Sequence, residues 1–119
     1  MNASETAHAF TALLKSGQHI EAGDQFNAED IVSYEAMGPM QVCKGRAAVK
    51  AKGDWWYANH EIHSATTTGP YVNGDQFVVE FEMDVTMKTT SQRIQMREIG
   101  LYTVRDGKIA EERFFYAEG

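Results

Sequence analysis

Two long runs of strict alternation in the second half of the chain constrain its fold most. In residues 75–88, Phe77, Val79, Phe81, Met83, Val85 and Met87 fall on one side, and Glu80, Glu82, Asp84, Thr86 and Lys88 on the other. Side chains alternate across a β-strand with period two, so this run is a strand with one buried and one wet face. Residues 92–104 repeat the pattern. Ile94, Met96, Gly100, Tyr102 and Val104 share a face that Glu98 interrupts. Residues 89–91 turn the chain between the two runs. Asn73-Gly74 is a hairpin signal before the first, and Arg105-Asp106-Gly107-Lys108 a turn after the second. The flanking segments 62–72, Thr-rich and interrupted at Gly69-Pro70, and 109–117 complete a meander of strands.

The first half has helical spacing instead. In residues 3–16, Ala3, Phe10, Leu13 and Leu14 share one helical face, Asn2 or Ser4 can cap the start, and Gly17 is a natural stop. A short second helix is predicted over 19–26. Residues 31–37 read as a strand that Gly38-Pro39 ends as a turn. Residues 45–60 read as a third helix, with Val49, Lys52, Trp56 and Asn59 on one side and Trp55 flanking it. Gly53 weakens that helix by about 1 kcal/mol relative to Ala. The order predicts an α+β fold, in which three N-terminal-half helices pack on the concave face of a strongly curved, mostly antiparallel sheet. Such a sheet makes a cone with a pocket at its open end. With 119 residues the chain is a single domain, 1–119.

Composition narrows the function. A net charge of −6 is the wrong sign for a partner of nucleic acid. The longest apolar runs fall far short of the roughly 20 residues a membrane span needs. The start has neither the basic region nor the apolar stretch of a signal peptide, so a soluble cytoplasmic protein is expected. A lone Cys43 excludes an internal disulfide and a cysteine zinc cage. His60-Glu61-Ile62-His63 lacks the two residues that zinc proteases place between Glu and the second His. No glycine pattern suggests a phosphate loop. Neither a metal nor a cofactor is therefore expected.

Three stretches together carry a resemblance. They are Phe26-Asn27-Ala28-Glu29-Asp30 through Glu35 to Gly38 with Gly45-Arg46-Ala47-Ala48-Val49, Asn73-Gly74 leading into the long alternating strand, and Val104-Arg105-Asp106-Gly107-Lys108-Ile109. In this order and spacing they resemble the cone-shaped, cystatin-like superfamily of nuclear transport factor 2. Within it they resemble the SnoaL-like polyketide cyclase and ketosteroid isomerase branch, over nearly the whole chain. The resemblance implies a catalytic carboxylate at Glu35, where the isomerases have one that moves a proton on the substrate. The other two catalytic positions of those isomerases fall on Phe10, which has no hydroxyl, and near Gly100, which has no side chain. What the resemblance implies is therefore the fold and a pocket rather than steroid isomerisation itself.

Several residues are candidates for such a pocket. Glu35 shares a strand face with Ser33 and Met37. In a dry pocket its carboxylate is a usable base near neutrality; on a rim it is solvated or paired with a basic neighbour. Glu98 lies on an apolar face near Phe81 or Met83 and is either ligand-facing, turned outward by a bulge, or bonded to a buried tyrosine. Glu112 shares a parity with Phe114 and Tyr116; the opposite parity buries Ile109 and Phe115 beside Glu111 and Arg113. Phe10, Trp55, Trp56, Phe81, Met83, Tyr102, Phe114 and Tyr116 are substrate-binding candidates or ordinary core. Tyr34 has the outward parity.

Two functions fit. One is a cofactor-free isomerase, cyclase or related lyase or hydrolase, with Glu35 and Glu98 as acid–base groups on an apolar carbonyl-bearing molecule. The other is a non-catalytic dimeric module that holds a lipophilic small molecule or a partner protein. A homodimer is expected through the outer sheet face, where Ile99, Leu101 and Val78 stand among Arg93, Arg97, Glu80, Glu82 and Asp84.

Overall fold

The computed structural model describes residues 1–38 and 40–117. The chain opens with helix α1 (Ala3–Lys15), whose N-terminus is closed by a capping box. Asn2 Oδ1 accepts from the Glu5 N–H at 2.8 Å, and the Glu5 carboxylate accepts from the Asn2 N–H at 3.0 Å. Gly17, at φ 79°, lets the chain leave the helix. Helix α2 (His19–Phe26) runs directly into strand β1 (Asn27–Tyr34). Then come β2 (Val42–Lys44), helix α3 (Arg46–Asn59), β3 (His60–Asn73), β4 (Gln76–Met87), β5 (Gln92–Arg105) and β6 (Lys108–Phe115). The six strands form one sheet in the order β2-β1-β6-β5-β4-β3. All pairs are antiparallel except β1 with β6. This is the expected α+β cone.

The alternation in the sequence becomes burial in the sheet. Phe77, Val79, Phe81 and Val85 of β4 and Gly100, Tyr102 and Val104 of β5 turn inward against the helices. Phe10 of α1 meets Phe26, Phe77 and Tyr102 edge-on, and Phe77 stacks on Tyr102 with centroids 4.9 Å apart. Helix α1 packs on β3, β4 and β5, and α3 on β1, β2 and β3. The two helices brace opposite flanks of the sheet.

Three boundaries differ from the sequence reading. Strand β1 starts at Asn27 and ends at Tyr34, not at 31–37, because β2 pairs with it through Tyr34↔Val42 and closes the loop after it. Ala36 and Met37 are therefore loop, with the Glu35 N–H bonded to the Gln41 carbonyl at 2.8 Å. The proposed Gly38-Pro39 turn lies partly outside the described residues. The β3–β4 hairpin turns on Gly74-Asp75, one residue later than Asn73-Gly74, since Asn73 pairs with Gln76.

The parity of the last strand is resolved by a bulge. Thr103 pairs with Glu111 but Val104 with Ile109, which leaves Ala110 as an extra residue. Ile109 is thus buried on one side of the bulge, and Glu112 and Phe114 turn inward on the other. Both parities hold, each in its own stretch. Phe115 is exposed, and Arg113 lies 3.9 Å over the outward-facing Tyr34 ring.

Candidate active site

At the open end of the cone the sheet and helices leave a cavity of about 460 Å³. Every candidate residue read from the sequence borders it. Strand β4 contributes Phe81 and Met83, and β5 contributes Glu98 and Tyr102. Glu112, Phe114 and Tyr116 come from β6 and its continuation, Trp55 and Trp56 from α3, and Phe10 from α1. Glu35 enters from the loop that follows β1. The walls are predominantly apolar; Asp24, Arg46, Lys50 and Asp54 also border the cavity, and three glutamates come together at one place.

That place is centred on Lys52, a residue the sequence reading put on the inner face of the third helix but gave no role. Its ammonium donates to Glu35 Oε1 at 3.0 Å and to the hydroxyl of Ser33. The Ser33 hydroxyl in turn hydrogen-bonds to Glu112. Phe114 stands beside the ammonium, its ring centroid 5.1 Å away. Glu35 is therefore not a lone carboxylate in a dry pocket. It is the paired glutamate that the alternative reading allowed, and its partner comes from a helix 17 residues further along the chain.

Glu98 is the carboxylate that burial perturbs most clearly. It sits opposite Phe81 in the β4–β5 ladder, as the alternation predicts. Desolvation by the apolar wall pushes its pKa up to about 7, the negative charge of Glu35 adds to the rise, and Lys52 opposes it. Burial raises Glu112 as well, against the pull of Lys52 and the Ser33 hydrogen bond. Three glutamates thus lie around one lysine, and Glu98 is protonated in part near neutral pH.

Tyrosines and histidines complete the cavity. Tyr102 is buried, and burial together with the surrounding glutamates keeps its hydroxyl protonated. Its ring lies over Gly100: a Cβ there would stand 2.8 Å from the ring. The side chain absent at Gly100 is what makes room for Tyr102. Tyr116 reaches across the open end. Its hydroxyl donates to the Met37 carbonyl at 3.1 Å and accepts from the Met37 N–H at 3.3 Å, which ties the loop after β1 to the end of β6. Tyr57 is pushed up to about 12 by burial, and His19 is held below its ordinary value by the same cause. His60 stacks on Trp56 at 4.3 Å, while His63 hydrogen-bonds to Thr86, so the two point to different places.

Sequence reasoning missed Lys52 and His19 as cavity residues, whereas Tyr57, an aromatic that could line a pocket or be ordinary core, does border it. For Lys52 a signal was present: a charge at helical spacing between Val49 and Trp56, on the face that packs inward.

Comparison with known proteins accords with this architecture. A family model of the SnoaL-like domain matches residues 1–116. Comparison with curated proteins finds no match. A protein of Mesorhizobium loti, described as a candidate SnoaL-like polyketide cyclase with the further label carbohydrate phosphatase, has a solved structure similar to this one. Its TM-score is 0.95 at 54% identity, over 98% of this chain and 100% of that one. A candidate isomerase of Bacillus subtilis gives a TM-score of 0.77 at 21% identity, over 98% and 90% of the two chains. A protein of Catenulispora acidiphila with a ketosteroid isomerase-like fold, solved with trimethylamine, gives 0.71 at 21% identity, over 89% and 81%. The last two share the fold alone. The family match over nearly the whole length, together with the Mesorhizobium loti relative, shows that the chain belongs to the SnoaL-like domain family.

Proposed function

We propose that the cavity receives an apolar, carbonyl-bearing small molecule and moves protons on it by carboxylate chemistry, without a cofactor. The observation that carries this reading is the gathering of Glu35, Glu98 and Glu112 around Lys52 in a predominantly apolar cavity. Glu98 is the better proton carrier of the two carboxylates read from the sequence. Its pKa of about 7 keeps both forms populated at neutral pH, whereas Glu35 is tied to Lys52. Ionised Glu98 takes a proton from the carbon beside the carbonyl. The C–H electron pair becomes the C=C bond of an enolate, and the carbonyl oxygen takes the charge. Return of the proton to another carbon is isomerisation; attack of the enolate carbon on a second carbonyl is aldol-type cyclisation. The Mesorhizobium loti relative, described as a polyketide cyclase, lies within this class of chemistry. Its other label, carbohydrate phosphatase, fits less well, because a phosphate dianion beside Lys52 would also meet the cluster of Glu35, Glu98 and Glu112.

Deuterium exchange tests the reading without knowledge of the natural substrate. 2-Tetralone, a neutral apolar ketone, incubated with the protein in heavy water is expected to exchange its α-protons faster than in buffer. Glu98→Gln is expected to remove about 100-fold or more of that acceleration. Equal rates with wild type and Glu98→Gln would overturn it.

A second reading, a non-catalytic module for a lipophilic molecule or partner, draws on Phe10 and Gly100, which leave two catalytic positions of the related isomerases without polar side chains. It expects binding without exchange. Both readings are of a cytoplasmic homodimer that pairs through the outer sheet face. Cys43, a buried free thiol, suits a reducing compartment.

A further inference from the structure

We propose that Lys52 is the docking group for the ligand, donating its third N–H to a ketone, enol or phenol oxygen, and that the cavity selects neutral oxygen-bearing molecules over carboxylates and phosphates. The inference rests on the reading that the cavity receives an apolar, oxygen-bearing molecule. An ammonium has three donors and no acceptor, and a lysine whose side chain is only 12% exposed needs a partner for each. Ser33 and Glu35 take two. Among the described residues no oxygen takes the third. The Phe114 ring holds the charge from one side but supplies no lone pair as an ordinary acceptor does. Lys52 borders the cavity, so an oxygen that a bound molecule brings can reach its third N–H.

The charge balance then sets the ligand class. The other cations that border the cavity are engaged, Arg46 by Glu29 and the Asp24 carbonyl and Lys50 by Asp54. A ligand that arrives already anionic therefore meets the cluster of Glu35, Glu98 and Glu112 with Lys52 beside it. A neutral carbonyl or hydroxyl oxygen escapes the repulsion of that cluster. It meets the ammonium at the moment negative charge develops on it, where a donor held in place is most effective. Glu98 and Lys52 border the same cavity, so both groups can act on one molecule.

Calorimetric titration with three probes of one shape tests this: a naphthol, the matching methylnaphthalene and the matching naphthoate. Wild type is expected to bind the naphthol at least about tenfold more tightly than either of the others, the share of one hydrogen bond from a charged donor. Lys52→Met is expected to bring the naphthol down to the methylnaphthalene level and to leave methylnaphthalene itself unchanged within about threefold. Should that variant lose its circular dichroism spectrum, Lys52→Met with Glu35→Gln removes both halves of the ion pair and is expected to behave the same way. Wild type without a preference for the naphthol, or a preference that survives in a folded Lys52 variant, overturns the inference. The exchange assay separates the two claims. Lys52-dependent naphthol binding without 2-tetralone exchange sinks the acid–base reading alone. Exchange without a Lys52-dependent preference sinks this inference alone.

Discussion

Glu98 pays for its place in the cavity with a dependence of stability on pH that has a definite sign. Its folded pKa is about 7 against an ordinary value of 4.5. Between those values the folded chain holds a proton that the unfolded chain has released, so stability falls as pH rises through the window. Glu98→Gln cannot lose a proton. It should match wild type near pH 4.5 and exceed it above pH 7, by up to a few kcal/mol. Urea unfolding at both ends of the window measures the difference. A variant less stable than wild type by more than about 2 kcal/mol at the upper end would show that the ionised carboxylate is held by hydrogen bonds instead. Glu98 was legible in the sequence because it breaks a period-two pattern. Lys52 was not, because a lysine on an apolar helical face ordinarily carries its ammonium out to water along its aliphatic stem. The pairing of Glu35 was hidden for a related reason: its partner sits on a different element, and strand parity says nothing about what a helix brings opposite.

The elements were read well where period alone decides them and poorly where one residue does. Helices α1, α2 and α3 and the long strands β4 and β5 follow from spacing. The three-residue β2 is too short to show a period, and it is β2 that ends β1 early. The bulge at Ala110 bears no glycine or proline to mark it, so the parity of β6 stayed open in the sequence although both halves of the answer were on the page. Two glycines test how far local context governs these elements. At Gly53, within α3, nothing lies within 4 Å of where a Cβ would stand. Gly53→Ala should therefore stabilise by about 1 kcal/mol. At Gly100 in β5 the same methyl would press on the Tyr102 ring at 2.8 Å. Phe77 stacks on that ring at 4.9 Å and Phe10 meets it edge-on at 5.1 Å, which blocks its retreat. Gly100→Ala should cost about 1–3 kcal/mol through overpacking. Thermal unfolding of the two variants should shift in opposite directions; a shared direction would refute the steric account of Gly100.

At the scale of the whole molecule, the alternation that builds the cavity also leaves a second apolar surface. With the helices on the concave side, the outer face of the sheet has no cover among the described residues. Ile99, 42% exposed, lies beside Phe115, 53% exposed, across β5 and β6. Leu101 lies beside Val78, and Val78 beside the exposed Tyr71. These side chains form one band over four strands, wider than the Ile99, Leu101 and Val78 that the sequence singled out, because Phe115 falls outward beyond the bulge and Tyr71 joins from β3. Next to the band, Arg97 pairs with Glu80 and Glu82, and Arg93 with Asp84, all within the chain. Such exposed pairs are worth little alone. Arg97 nevertheless keeps 74% of its side chain exposed and has N–H groups left for a carboxylate from outside. An apolar band flanked by paired charges has the anatomy of an interface core with a polar rim, and a second copy of the chain can cover it by a two-fold axis. Light scattering at micromolar concentration is expected to give twice the chain mass. Ile99→Asp with Leu101→Asp should halve it without changing the circular dichroism spectrum, because neither side chain belongs to the cavity or the inner core. A wild type of single-chain mass, or a dimer that tolerates both aspartates, would mean that the band is covered by something other than its own copy.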